Sequence, residues 1–412
     1  MTTQPEPISP TRSLPVRPDL DQLRRQAKEL LAQFKIGDPT ALEEFAQFHP
    51  RPREGAPKLS DAQVVLARSY GVPSWSRLVQ ACQLIDAIWN DDLPALLDLI
   101  TKHPTLLQQP ALVTERNWGR PMAYAANLGR NEIITKLHSL GASDLQHAFE
   151  RACLRGQLDT ARLLHQLGAR PAEDSILGPC ETLNADGLAL LLELGAPVPN
   201  PKAAIALVLQ TYSRNADGKH RCLALLESIA EPLPDTPTMA LHRGRLDLLQ
   251  AHLAKTPDLF KEQFSHEEIY PPSLGCDTDH HLALHGSPLA NGTLLHLCVD
   301  YDEFEIAKWI LENGGSPNVT SGHDEDGFGG QTALFGAVVS QPFRVGVQGH
   351  ERFAELLLKH GADTSIRASL RKSLRFVEDE STHEYRNVTA LEFGQQFHDQ
   401  DWVNPKVMRL LS

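Results

Sequence analysis

The segment NEIITKLHSLGA at residues 131–142 decides the fold, because its pattern returns as DTARLLHQLGA at 159–169 and as GLALLLELGA at 187–196. The closing glycines fall at 141, 168 and 195, a spacing of 27 residues each time. On that period Ile134, Ala161 and Leu188 coincide, as do Leu137, Leu164 and Leu191, and then Leu140, Leu167 and Leu194. In each unit a short helix is followed by a second, apolar one, and glycine sits just past its end. Glycine there accepts the left-handed backbone that closes a helix. One such hairpin cannot bury its own apolar face, so neighbours must stack. The pattern predicts a solenoid of helix pairs.

Later units are longer. GTLLHLCVDYDEFEIAKWILENGGSPN at 292–318 begins T-x-L-H, carries Ile306, Ala307, Ile310 and Leu311 along its second helix, and closes on Gly-Gly. GQTALFGAV from Gly330 is continued by ERFAELLLKHGAD from Glu351, with an insertion between its helices, and VTALEFG with KVMRLL forms a terminal unit. GRPMAYAANLGRNEIITKLHSLGA and TPTMALHRGRLDLLQAHL are weaker copies. These segments resemble the ankyrin repeat, over roughly residues 84–412. The resemblance is specific for Gly292–Ala362 and loose between 200 and 290, where the period is lost. The 27-residue units are about six residues under the usual length, which suggests a trimmed turn between repeats. The family is one of protein recognition, so the resemblance implies binding rather than catalysis, and it does not name the partner.

Upstream, residues 1–18 carry five prolines and no apolar periodicity, predicting a disordered leader. Residues 19–83 predict a small helical module. Asp19 is placed as a cap with Gln22 at the third position, a second helix runs from Thr40 to Phe48, Ser60 caps a third, and Ser74 caps a fourth that begins at Trp75. LSDAQVVLARSYGVPSWSRLV resembles a segment found ahead of ankyrin repeats in a group of bacterial proteins, which implies a bacterial origin but no chemistry. The expected architecture is thus all-α: leader 1–18, module 19–83, divergent repeats 84–256, an irregular acidic insertion 257–291, and repeats with a C-terminal cap over 292–412.

The composition excludes several functions. The chain has 412 residues and a formal charge of −13, against the basic face that nucleic-acid binding requires. No apolar run approaches the ~18–20 residues that span a bilayer. The first residues lack a secretory pattern, so export is not expected. The six cysteines are scattered without C-x-x-C spacing and read as small buried residues in a reducing cytoplasm.

Chemistry-bearing residues are few. His296, in the T-x-L-H start, reads as structural, with Thr293 as a helix cap. Cys276, His280, His281, His285, His296 and Cys298 contain the zinc-ligating residue types, and they support an alternative reading as a metal-binding regulator or metal-dependent enzyme. Their spacing matches none of the common zinc patterns. GHDEDGFGG at 322–330 has the look of a calcium loop, but the glutamate needed at its end is replaced by Phe335. No nucleophile, phosphate-loop or H-E-x-x-H motif occurs. No catalytic residue, metal or cofactor is assigned.

Charge is the stronger signal. Residues 257–330 hold fourteen acids against Lys261 and Lys308, a net −12 that nearly equals the charge of the whole chain. This reads either as a solvated face or as a surface for a basic partner. The basic strip Arg367, Arg371, Lys372 and Arg375 offers an intramolecular counterpart. The expected partner-binding residues are Asp277, Asp279, Asp324, Glu325 and Asp326, with Trp118, Arg120, Tyr270 and Phe328 as anchors in loops. The reading is a monomeric cytoplasmic module that binds an unknown protein through a concave face and finger loops, without nucleic acid or membrane.

Overall fold

A computed structural model of the chain describes residues 10–50, 56–112, 118–279, 285–375, 377 and 379–412. The chain divides into two compact units, residues 1–170 and 171–412.

The first unit is helical: α1 (Leu20–Lys35), α2 (Pro39–Phe48), α3 (Leu59–Ser69), α4 (Trp75–Trp89), α5 (Leu93–Lys102), α6 (Pro121–Asn127), α7 (Asn131–Ser139), α8 (Leu145–Arg155) and α9 (Leu158–Gln166). Asp19 accepts from the amides of Asp21 and Gln22, and Ser74 from that of Arg77, as their positions predict. At α3 the expected cap does not form. The Asp61 carboxylate accepts from the Lys58 amide at 2.7 Å instead, a stronger charge-assisted bond than the Ser60 hydroxyl offers. α4 runs through residue 83.

The described part of the leader is ordered. Leu14 is buried in one core with Leu23, Leu30, Phe45, Phe48 and Leu66. Arg12 forms a two-pronged bond to Glu44, and the Tyr124 hydroxyl donates to the Val16 carbonyl at 2.8 Å. Residues 1–9 of that leader lie outside the described residues.

The second unit contains α10 (Leu177–Glu181), α11 (Ala185–Glu193), α12 (Pro201–Gln210), α13 (Ala216–Glu227), α14 (Pro237–His242), α15 (Leu246–Lys255), α16 (His266–Ile269), α17 (Leu294–Tyr301), α18 (Phe304–Glu312), α19 (Ala333–Val338), α20 (Gln341–Arg344), α21 (Arg352–Lys359), α22 (Ala390–Gln396) and α23 (Pro405–Leu411). The first helices of successive hairpins pack on one another, α14 on α17, α17 on α19 and α19 on α22. The insertion expected within the 330–362 repeat is α20 and its flanking turns.

The hairpins end alike. Gly141, Gly168 and Gly195 are left-handed, and the amide of the following alanine donates to the carbonyl five residues back, at 2.9 to 3.1 Å, in all three. Gly315 to Ile310 and Ala362 to Leu357 repeat that bond. This is the helix-closing arrangement glycine was expected to permit.

The fold is mostly helical, consistent with an all-α reading, and among the described residues it includes one two-stranded sheet. β1 (Ala368–Lys372) pairs antiparallel with β2 (His383–Val388), with Leu370 opposite Tyr385. ASLRK lacks the β-branched and aromatic residues that mark a strand, so composition concealed it.

Candidate functional site

His296 forms a structural joint. Its Nδ1 accepts from the Thr293 amide at 3.1 Å, with the Thr293 hydroxyl 2.9 Å away. Its Nε2 lies 2.9 Å from the Gln331 carbonyl and must therefore carry the proton. Burial lowers its pKa to about 4, so the ring stays neutral.

The expected anchors separate into two groups. Tyr270 and Phe328 are 2% and 5% exposed, so neither can reach a partner. Phe328 lies beneath two guanidiniums, those of Arg371 at 4.9 Å and Arg386 at 4.4 Å. Trp118 is half-buried against Tyr124 and Trp89, with Arg155 over its ring. Arg120 is exposed and bonded to Ser143. The Phe328 and Trp118 rings find aromatic or cationic cover within the chain, which loop position alone does not reveal.

Much of the acidity is also answered internally. Arg371 reaches Asp324 at 2.8 Å and Asp326 at 2.7 Å, while Asp324 Oδ1 accepts from the amides of Asp326 and Phe328. The 322–330 loop is thus a closed turn whose two aspartates are held by arginine rather than a calcium loop. Asp277, Asp279 and Glu325 remain exposed.

Two of the proposed metal ligands cannot be placed. His280 and His281 lie outside the described residues. Among the described residues no group of three His, Cys, Asp or Glu is placed to hold a metal. Cys276 is buried, with its thiol pushed up to about 12 by burial, and His296 is spent in its cap.

His285 leads instead to a buried polar chain. Its Nδ1 donates to Asp300 Oδ2 at 2.8 Å, and its Nε2 lies 2.8 Å from the Tyr270 hydroxyl, which in turn contacts that of Tyr301. Arg214 Nη2 donates to the same Asp300 oxygen at 2.8 Å, and its Nε to the Asp300 carbonyl at 2.9 Å. Burial alone would raise the Asp300 pKa, but Arg214 and then His285 outweigh it and keep the carboxylate ionised. One turn on, Glu303 receives Lys219 at 3.0 Å and His220 at 2.8 Å. Neither Arg214 nor Lys219 was singled out from sequence. Lys219 was legible in principle, since it shares a helical face with Cys222, Leu223 and Leu226, where a cation must find a partner.

Beside this chain lies a cavity of about 300 Å³, at the lower end of small-molecule pocket sizes. His285, Tyr270, Gln331 and Lys372 contribute its polar wall, and Pro288, Leu289, Phe328 and Leu370 its apolar one.

No family model and no curated protein matches the chain. Among solved structures it is similar to the human ASB11 ankyrin repeat domain, at 19% identity and a TM-score of 0.26, over 71% of this chain and 96% of that one. The chain therefore has an ankyrin repeat domain as a structural neighbour, at a distance that says nothing of sites or partners. Among the described residues, no helix is long and apolar enough to cross a membrane.

Proposed function

We propose that the chain is a non-catalytic protein-recognition module of ankyrin type, acting as a cytoplasmic monomer. The observation that carries this reading is the recurrence of one helix-closing bond in successive hairpins, together with the Thr293–His296 cap tied to Gln331. Such hairpins hold their turns rigidly, and rigid turns can vary in sequence without cost to the fold. The binding residues are narrowed to those exposed at the surface: Arg120 in the first unit, and Asp277, Asp279, Glu325 and Asp326 in the second, the last of them paired with Arg371. The acids favour a partner with a basic surface.

The test is capture from cytosol with the full chain, followed by mass spectrometry and a charge-reversal variant, D277K/D279K/E325K. Loss of the captured partner with unchanged helical circular dichroism supports the reading. Undiminished capture would show that these acids serve only solubility.

A further inference from the structure

Gly119 and Arg120 lead into α6, and Ser143 and Asp144 lead into α8, the helix packed against it. These two turns line a second cavity, of about 560 Å³. Gly119 presses on one wall, since an added Cβ there would stand 2.6 Å from the His147 ring. Burial lowers the His147 pKa, so that wall is uncharged. The rest of the lining carries two carboxylates, Asp144 and Glu150, against one guanidinium, Arg120, and so has an excess of negative charge.

Asp144 is 7% exposed. Its Oδ2 accepts from the Ala123 amide at 2.8 Å, but its buried Oδ1 meets no donor among the described residues. A buried carboxylate has lost its hydration and needs a cation or further hydrogen bonds in exchange. Arg120 is engaged elsewhere, donating to the Ser143 hydroxyl at 2.7 Å. Burial raises the Asp144 pKa, so the bond from Ala123 offsets only part of the cost. One unpaired oxygen cannot take the two parallel bonds of a guanidinium, whereas an ammonium bonds as a compact point charge. Glu150, held by Gln146 at 3.1 Å, brings a second carboxylate to the same lining.

We propose that this cavity receives a lysine side chain of the protein partner, its ammonium donating to Asp144 Oδ1. The inference rests on the protein-recognition reading and gives it a specific anchor. A seated ammonium answers the unpaired oxygen and cancels the excess charge.

The probes are Nα-acetyl-lysine methylamide and its norleucine counterpart, which keeps the carbon chain and lacks the ammonium. Each is titrated into the full chain and followed by NMR at the Ala123 amide. The lysine probe should shift that resonance saturably, and the norleucine probe should bind at least tenfold more weakly. D144N keeps an acceptor for Ala123 but removes the charge, so it should weaken the lysine probe at least tenfold. Equal shifts from the two probes, or none from either, overturn the proposal. That comparison is made on the unaltered chain, so misfolding of D144N leaves it decisive. A protein captured from cytosol equally well by the chain and by D144N also overturns it. If the chain captures nothing, the recognition reading fails, while the titration still upholds or overturns the lysine site.

Discussion

Arg214 and Asp300 meet side chain to side chain at 2.8 Å across 86 residues of sequence, with both groups almost fully buried. The pair joins the segment after α12 to the end of α17, and it anchors the polar chain that runs through His285 to Tyr270. Removing one partner strands a charge in a medium that cannot solvate it. R214M should destabilise the second unit by about 3–5 kcal/mol, while R214M/D300L should recover a large part of that loss. Urea unfolding followed by hydrogen exchange in α17 reads both. Equal destabilisation by the single and double variants would mean that the pair, rather than its imbalance, carries the stability.

Acid should weaken the second unit through its buried histidines. His242, His285 and His296 all have pKa values lowered first by burial, His296 to about 4. A group depressed in the folded state takes up protons on unfolding, so its contribution is complete above about pH 6.5 and declines as pH falls toward the folded value. Three such groups should produce a slope steeper than the roughly 1.4 kcal/mol per pH unit that one proton supplies between pH 6 and 4. H296N should flatten that slope. An unchanged slope would assign the acid sensitivity to other groups.

Leu14 should behave as a core residue. L14A should cost about 2–5 kcal/mol in the first unit, measured by thermal or urea unfolding. Deleting residues 10–18 should cost more, since Tyr124 would lose its acceptor at Val16 and Glu44 its arginine. A disordered leader would show neither effect.

Gly329 should tolerate no side chain. Its φ is +134°, and an added Cβ would stand 2.0 Å from the Gly322 carbonyl oxygen. G329A should open the 322–330 turn and raise the exchange rate of the Asp324 amide, which donates to Phe328. The expected loss is about 1–3 kcal/mol. G327A is the control: Gly327 also has positive φ, but a Cβ there meets nothing within 4 Å, so its cost should be smaller.

Local rules account for what was readable in advance. Gly141, Gly168 and Gly195 mark helix ends through their own backbone freedom, and the Thr293–His296 cap closes within one turn. Both depend on residues a few positions apart, so periodicity exposes them. The helix pairs of 292–362 and the terminal pair appear for the same reason.

The folded chain alone decided which charges find partners within it. Asp300, Asp302, Glu303, Asp324 and Asp326 look like members of one acidic patch, yet they meet Arg214, Arg352, Lys219 and Arg371 from distant segments, the first three inside the fold and the Asp324 and Asp326 pairs nearer the surface. The same long-range packing buried Tyr270 and Phe328, placed Lys372 in a cavity wall and ordered the segment around Leu14. Desolvation and ion pairing depend on what lies across space, and no spacing along the chain encodes it.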